Sequence, residues 1–412
     1  MEQTNNELKS ILIDVDSFQG EFDNKWKILS SKIPITFLTT DASNKRKSYL
    51  SQIGNVLTFK SFNNSFAFVD NNNIIVNMLH ENHINSSEVI VVTNALEHIE
   101  QISSYGLKCV HLTNSYNSYK VAPDYISTNI NGVVDIILGK NGGLLAESID
   151  KIKNNNSYYY ILKSVHRTEQ GNIEIFSGGR YFAAGTIQSY YHILSNRILS
   201  NKHDGREYKK FVDIFEVMIK FCGSKIINPI LISVPPKPGN NNRFEKILQK
   251  LCYELNFENG MSYIFCNKDY GNNKIRSTQD REANLDGCFT IDSEAFKDRN
   301  VIIIDDVLAS GATLREITKR LYLKGASSVT GFVMAINQLC TPWQRVRFNP
   351  LLCPKCNSEM KLRINSYNLS MFYGCCSYPK CNYTIDYNEG LSKIKTMNQM
   401  KYIDNGNDDF DF

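Results

Sequence analysis

The chain has 412 residues, 42% of them hydrophobic and 21% charged, and its 46 Lys+Arg against 42 Asp+Glu leave a formal net charge of +4. Wholesale disorder is excluded by this composition, and the charge excess is too small to draw nucleic acid over the whole surface, so any such contact must be local. No apolar run is long enough to cross a bilayer and the N-terminus lacks the basic and apolar parts of a secretory leader, so the expectation is a cytoplasmic protein of about two to four domains.

Short β-branched runs at Ile11–Val15, Ile35–Leu38, Val89–Thr93 and Cys109–Leu112 predict strands, alternating with helical stretches in a first α/β domain over residues 1–150. Asn154–Asn156 reads as a linker. Tyr158–Val165 and Ile173–Phe176, joined through Gly171-Asn172, predict a hairpin that opens a second domain over 157–345. Helices are predicted there at Ile187–Leu199, Tyr208–Phe221, Phe244–Leu255 and Thr313–Lys324. Strands are predicted at Pro229–Val234, Ser262–Cys266, Val301–Asp305 and Ser328–Ile336. Strand–helix–strand order of this kind implies a mostly parallel sheet. A small cysteine-rich module follows over 350–387, and 388–412 reads as a tail, disordered at its acidic end Asp404–Phe412. The fold class is therefore α/β: two parallel-sheet domains and a small C-terminal module.

The most informative stretch runs from Val301 to Thr313. An apolar strand delivers Asp305 and Asp306 to its C-terminal end, where ligands of open α/β sheets sit. Ala309, Ser310, Gly311, Ala312 and Thr313 then form a turn into a helix. Free N–H groups at a helix start favour a phosphate, and Gly311 lets the backbone come close. Two carboxylates would repel that phosphate but suit hydroxyls or a metal, so a sugar phosphate is the natural guest.

This pattern resembles the phosphoribosyl-diphosphate (PRPP) motif of type I phosphoribosyltransferases. Val234-Pro235-Pro236-Lys237-Pro238-Gly239 with Arg243-Phe244, and the run Thr278–Phe289 with its Arg281-x-x-Asn284, resemble the competence-associated (ComF-like) branch. The resemblance implies that Asp305 and Asp306 hold the ribose hydroxyls and that Ala309–Thr313 cradle the 5′-phosphate. Lys237 and Arg243 would meet the diphosphate, with Mg²⁺ bound mainly through diphosphate and water. A loop over Lys268–Arg281, with Lys274, Arg276 and Arg281, would close over the reaction. Ala309 departs from the Thr or Ser common in the family.

Of 11 cysteines, Cys353, Cys356, Cys375, Cys376 and Cys381 crowd into one short stretch, with the spacing of a four-thiolate Zn²⁺ site rather than of a disulfide framework. Cys375 and Cys376 compete for the third ligand position. The stretch resembles the C-terminal zinc ribbon of type IA DNA topoisomerases, through Phe372-Tyr373-Gly374-Cys375 and Tyr378-Pro379-Lys380-Cys381. That alignment implies Cys375 as the ligand beside Cys353, Cys356 and Cys381. Tyr367, Phe372, Tyr373, Tyr378 and Tyr383 alternate with Lys355, Lys361, Arg363 and Lys380, a pattern suited to single-stranded nucleic acid.

Asp14 and Asp16 follow the first strand, Thr39 ends the second, and Asn94 and His98 follow the third. This order resembles the haloacid-dehalogenase (HAD) hydrolase fold over about residues 8–140. The resemblance implies Asp14 as nucleophile, Asp16 as acid/base and Thr39 on the phosphoryl group. Asn94 and His98 stand where the family places Mg²⁺-binding acids, which points to weak or absent hydrolase activity. His80, His83, His166, His192 and His203 show no ligand spacing.

Together these features predict a PRPP-dependent enzyme with a base or nucleotide as acceptor. A nucleic-acid-associated sensor that binds PRPP or a nucleotide without turnover is the rival, and a bifunctional phosphatase–phosphoribosyltransferase is the third reading. Zn²⁺ and Mg²⁺ are the expected ions. No membrane partner is expected, and a homo-oligomer stays open.

Overall fold

The computed structural model describes residues 8–403 apart from 18–20, 41–42, 59–81, 83, 85–87, 105–106, 116–118, 120, 150–157, 184–188, 190–191, 271–283, 292–293, 339–349 and 366–369. Among the described residues, no helix is long and apolar enough to cross a membrane.

The first sheet comprises β1 (Ser10–Asp14), β2 (Ile35–Thr39), β3 (Asn55–Thr58), β4 (Val89–Thr93), β5 (Lys108–Leu112) and β6 (Tyr125–Ser127). Its strands are all parallel, in the order β3-β2-β1-β4-β5-β6. Helices α1 (Asn24–Ser30), α2 (Asn44–Leu50), α3 (Leu96–Ser104) and α4 (Ile130–Ile137) connect and cover it. All five residues of β1 are buried, as a strand covered on both faces requires. Ile11 and Ile13 pack with Trp26, Phe37 and Val133, whereas Leu12 packs on the other face with Val91, Ile99 and Ile102. The chain reverses direction across the sheet between β3 and β4. The C-terminal ends of β1 and β4 therefore border a crevice, and Asp14 stands there.

The short strands β7 (Asn141–Leu144) and β8 (Tyr158–Tyr160) join the two domains as a parallel pair. The second sheet contains β9 (Leu162–Arg167), β10 (Asn172–Ser177), β11 (Arg180–Tyr181), β12 (Ile230–Ser233), β13 (Glu258–Asn259), β16 (Asn300–Leu308) and β17 (Ser328–Asn337). Its order is β13-β12-β16-β17-β10-β9, with β11 on β17. Only the β9–β10 hairpin is antiparallel. Beside it lies the small antiparallel pair β14 (Ile264–Cys266) and β15 (Phe289–Ile291). Helices α5 (Ile193–Asp204), α6 (Tyr208–Cys222), α7 (Glu245–Leu255) and α8 (Ala312–Leu323) complete the layers.

Val301–Ile304 form the centre of this domain and are wholly buried. Ile302 and Ile304 pack with Leu194, Phe215 and Leu248 from α5, α6 and α7. Val301 and Ile303 pack on the opposite face with Leu314, Ile317 and Leu321 from α8. Each such side chain contributes roughly 1.5–3 kcal/mol through burial.

Three expectations shift. Strand β16 runs beyond Asp305 to Leu308, because β17 offers partners for Val307 and Leu308 at Ala335 and Ile336. The aspartate pair thus lies within the strand. The helix expected from Ile187 begins at Ile193, where the ring of His192 accepts from Ser195 N–H, and it ends at Gly205 with φ of 68°. Ile187 itself lies outside the described residues.

The third shift is in the C-terminal piece. Strands β18 (Met360–Ile364), β19 (Met371–Cys375) and β20 (Thr384–Asp386) form an antiparallel ribbon. The stretch read as a tail opens with a helix, α9 (Tyr387–Ile403), and only its end lies outside the described residues. This helix buries Ile394 against Leu351, Met360, Leu362, Tyr373 and Ile385. Tyr387 stacks on Tyr373, and a Cβ at Gly390 would meet that ring at 2.3 Å. The glycine costs about 1 kcal/mol in a helix but permits this approach. Strand β18 also lies against α5.

The two large domains share packing around Tyr119, Val121, Ala122, Leu144 and Leu162. Ala122 N–H donates to Gln338 Oε1 at 3.0 Å. Arg180 reaches Asp124 Oδ1 and Glu147 Oε2, each at 2.8 Å, and His192 Nε2 lies 3.3 Å from Glu147 Oε2. Burial works against the Glu147 charge, but Arg180 and then His192 outweigh it and hold the carboxyl well below the usual carboxylate range.

Candidate functional site

Asp305 and Asp306 stand at the C-terminal edge of the second sheet, between β12 and β17. Arg243, just ahead of α7, brings Nη2 to 2.6 Å from Asp306 Oδ2 and 3.6 Å from Asp305 Oδ1. Lys202 of α5 approaches from elsewhere, with Nζ 3.3 Å from Asp306 Oδ1 and 5.4 Å from the centre of the Tyr181 ring. Asp306 N–H donates to Asp305 Oδ1 at 2.9 Å. Burial, then the adjacent Asp306 charge, pushes the Asp305 carboxyl up to about 7 despite Arg243. Asp305 is thus a carboxylate that gains its charge near neutrality, ready to lose a proton when hydroxyl donors or a cation arrive.

The turn after β16 follows from its residues. Gly311 holds φ at 75°, a left-handed conformation that glycine accepts without strain, and α8 starts directly after it. Ser310 Oγ accepts from Ala312 N–H at 3.4 Å. The first N–H groups of any helix find no carbonyl within it, so this turn aims backbone donors at whatever lies above the sheet edge. Ala309, Ser310, Gly311, Ala312 and Thr313 are therefore brought together beside the aspartates.

The loop after β12 turns at Gly239, which has φ of 79°. Lys237 Nζ pairs with Asp269 Oδ1 at 2.7 Å and lies 4.6 Å above the Tyr270 ring. Burial first, then the charges of Cys266 and Asp305, push the Tyr270 hydroxyl up to about 12. Lys237 and Arg243 are thus held at the same edge, Arg243 on the aspartates and Lys237 on a neighbouring acid. Lys274, Arg276 and Arg281 lie outside the described residues.

In the ribbon, the Sγ atoms of Cys353, Cys356, Cys375 and Cys381 all lie within 4.8 Å of one another. The Cys353–Cys381 separation is 3.7 Å and the Cys356–Cys375 separation 3.4 Å. A tetrahedral Zn²⁺ with bonds of about 2.3 Å sets its sulfurs about 3.8 Å apart, so the donor set fits that ion. Ser377 N–H donates to Cys375 Sγ at 3.4 Å, a supporting contact of the kind that orients metal-bound thiolates. Cys376 is exposed and outside the cluster.

In the first domain, Asp14 Oδ2 accepts from Thr93 Oγ1 at 2.8 Å and lies 3.0 Å from His98 Nδ1. Asp16 accepts from Thr39 Oγ1 at 2.6 Å, from Thr40 N–H and from Thr40 Oγ1 at 2.8 Å. Arg46 donates to Val15 O. Asn94 contributes backbone, its N–H donating to Ser17 Oγ at 2.8 Å and its carbonyl facing His111 Nε2 at 3.2 Å. Asp14, Asp16, Thr39 and Asn94 do converge at the C-terminal sheet edge, but the carboxylates are engaged by neutral donors and an imidazole.

Residues 235–369 match the family model for the phosphoribosyl transferase domain, and residues 351–389 match that for the topoisomerase DNA binding C4 zinc finger. The first match includes Lys237, Arg243, the aspartate pair and the Gly311 turn. The chain therefore carries a phosphoribosyltransferase domain and a C-terminal topoisomerase-type C4 zinc ribbon. No curated protein matches it. Among solved structures, hypoxanthine phosphoribosyl transferase of Trypanosoma cruzi is 17% identical, covering 40% of this chain and 71% of that one, with a TM-score of 0.22. Phosphoribosylpyrophosphate synthetase from Mycobacterium smegmatis is 10% identical, covering 79% of this chain and 71% of that one, with a TM-score of 0.21.

Sequence reasoning missed Lys202, Tyr181 and Tyr270 at this edge, and Arg315 and His166 behind the turn. Lys202, Tyr181 and His166 come from distant parts of the chain and carry no local signal. Tyr270, inside the loop expected over Lys268–Arg281, and Arg315, two residues past the motif, both lie within local reach of it.

Proposed function

We propose that the chain catalyses PRPP-dependent phosphoribosyl transfer, through a domain of the competence-associated (ComF-like) branch. The observation that carries this reading is the pair Asp305–Asp306 on a central strand, followed within one turn by left-handed Gly311 at a helix start. Asp305 and Asp306 accept from the ribose hydroxyls once Arg243 and Lys202 swing aside. The turn 309–313 donates to the 5′-phosphate, and Lys237 and Arg243 meet the diphosphate. Mg²⁺, when bound through diphosphate and water, supplies neutralisation of the leaving group. The acceptor forms a bond to ribose C1 while the C1–oxygen bond breaks, its electron pair leaving on diphosphate. Catalysis of this kind rests on positioning and charge stabilisation rather than on a nucleophilic side chain.

The first domain is read as HAD-like, supported by its parallel strand order and by Asp14 and Asp16 at the end of β1. It lacks useful hydrolase activity, because His98 and Thr93 hold Asp14 where an acid-bound Mg²⁺ would be needed. The ribbon holds structural Zn²⁺ and contacts single-stranded nucleic acid through exposed Tyr378, Lys355, Lys361, Arg363 and Lys380. The protein acts in the cytoplasm.

A second reading, a sensor that binds PRPP without turnover, is favoured by one feature: both Asp306 oxygens are already paired with cations. Diphosphate release from Mg-PRPP, measured over nucleobases, nucleosides and single-stranded oligonucleotides, separates the two. Release with any acceptor supports the transferase, and PRPP binding without release under every condition supports the sensor.

A further inference from the structure

We propose that Arg315 and His166 are positioning residues for the phosphate turn, holding the Ser310–Gly311 peptide so that its N–H faces the 5′-phosphate, and that protonation of His166 releases this hold. The proposal rests on the PRPP reading of the site.

Arg315 sits one turn into α8, with its backbone N–H donating to Gly311 O at 2.9 Å. Its Nη1 donates to Ser310 O at 2.8 Å and lies 3.3 Å from His166 Nδ1 on β9. A trans peptide is planar, with C=O and N–H pointing in opposite directions. A guanidinium that draws the Ser310 carbonyl back therefore turns the Gly311 N–H outward. Gly311 is required for the same reason: a Cβ there would stand 3.0 Å from the His166 ring and 3.2 Å from Arg315 Nη1. The charge of Arg315 also adds to the positive field behind a bound phosphate dianion.

His166 completes the arrangement. Arginine offers only donors, so Nδ1 must be the acceptor and carries no proton. The ring proton then lies on Nε2, 3.1 Å from Ser164 Oγ, and donates to it. This fixes a neutral tautomer. The charge facing His166 from α8 is Arg315. Its partner across the β9–β10 hairpin is apolar Ile173, and its neighbour on its own strand is Ser164. Burial, then Arg315, lowers the His166 pKa, in keeping with a ring that is neutral near pH 7. A second ring proton would remove the acceptor and set two cations at hydrogen-bond distance.

The test uses the full chain and calorimetric binding of ribose 5-phosphate. Arg315→Met is expected to weaken binding by about tenfold or more and to raise KM for PRPP more than it lowers kcat. His166→Asn keeps an acceptor near the Nδ1 position but cannot titrate. It is expected to bind within about threefold of the unaltered chain at pH 8, and to bind better than it once the pH is low enough to protonate the His166 ring, followed by the imidazole NMR signals. Asp305 is the same in both proteins, so its own titration cancels in that ratio. Unchanged affinity in Arg315→Met overturns the proposal, as does a ratio between the His166→Asn and unaltered chains that stays constant through the His166 titration. Should Arg315→Met fail to fold, the His166→Asn ratio decides alone. Failure of the unaltered chain to bind ribose 5-phosphate or PRPP would overturn the transferase reading itself, a different result from binding that the variants leave unmoved.

Discussion

Asp305→Asn is expected to stabilise the phosphoribosyltransferase domain at alkaline pH while removing its ligand. The folded protein keeps the Asp305 proton up to about pH 7, because burial and the Asp306 charge outweigh Arg243. The unfolded chain gives that proton up near pH 4. Between these values the folded state binds more protons than the unfolded state, so rising pH costs the unaltered protein stability. A shift of about three units corresponds to about 4 kcal/mol, and the attraction of Arg243 is already contained in it. Asparagine keeps an oxygen acceptor for Asp306 N–H, which Asp305 Oδ1 now accepts at 2.9 Å. The expected gain is about 2–4 kcal/mol at pH 8, shrinking towards zero at pH 4. Amide exchange along Asn300–Leu308, followed in both proteins from pH 4 to pH 8 and corrected for intrinsic rates, measures it. A variant no more stable at pH 8, or a gain that does not change with pH, would refute the reasoning.

Other outcomes follow from the same structure. Arg180→Met removes the guanidinium shared by Asp124 and Glu147 at a buried junction, leaving Cys109 N–H on the first and His192 on the second, and is expected to cost about 3–5 kcal/mol in urea denaturation; a loss below about 1 kcal/mol would mean that these remaining partners and water suffice for both acids. Metal analysis is expected to find one zinc in Cys376→Ser and little in Cys375→Ser, and the reverse pattern would place the wrong sulfur in the site. Phosphomonoesters with millimolar Mg²⁺ are expected to remain intact, and turnover that disappears in Asp14→Asn would show a live hydrolase and a bifunctional protein.

What the sequence makes legible here is local. Val301–Ile304, four β-branched residues in a row, could only be a strand buried on both faces, and the turn at Ser310-Gly311 could only follow it closely. The four thiols were legible because ligand spacing is short-range chemistry, although choosing Cys375 over Cys376 needed the ribbon pattern. Helix α9 was hidden because its propensity is weak: Gly390 and Asn398 lower it, and the helix is held by Ile394 and Tyr387 against the ribbon core. The cations on Asp306 differ in the same way. Arg243 falls in a motif loop, whereas Lys202 reaches the site from a helix whose register no local signal sets. His166 shows no ligand spacing in the sequence, and its closeness to Gly311 arises only when β9 docks at the sheet edge.

The most direct test of the central claim is calorimetric titration of Mg-PRPP into the unaltered chain and into Asp305→Asn/Asp306→Asn. Each aspartate is assigned a charge-assisted contact to a ribose hydroxyl, worth about 1.5–3 kcal/mol. The unaltered chain is expected to bind, and the double variant to lose about 100-fold or more in affinity while keeping its fold. Equal affinity in the two proteins would contradict the assignment of this edge as the PRPP site.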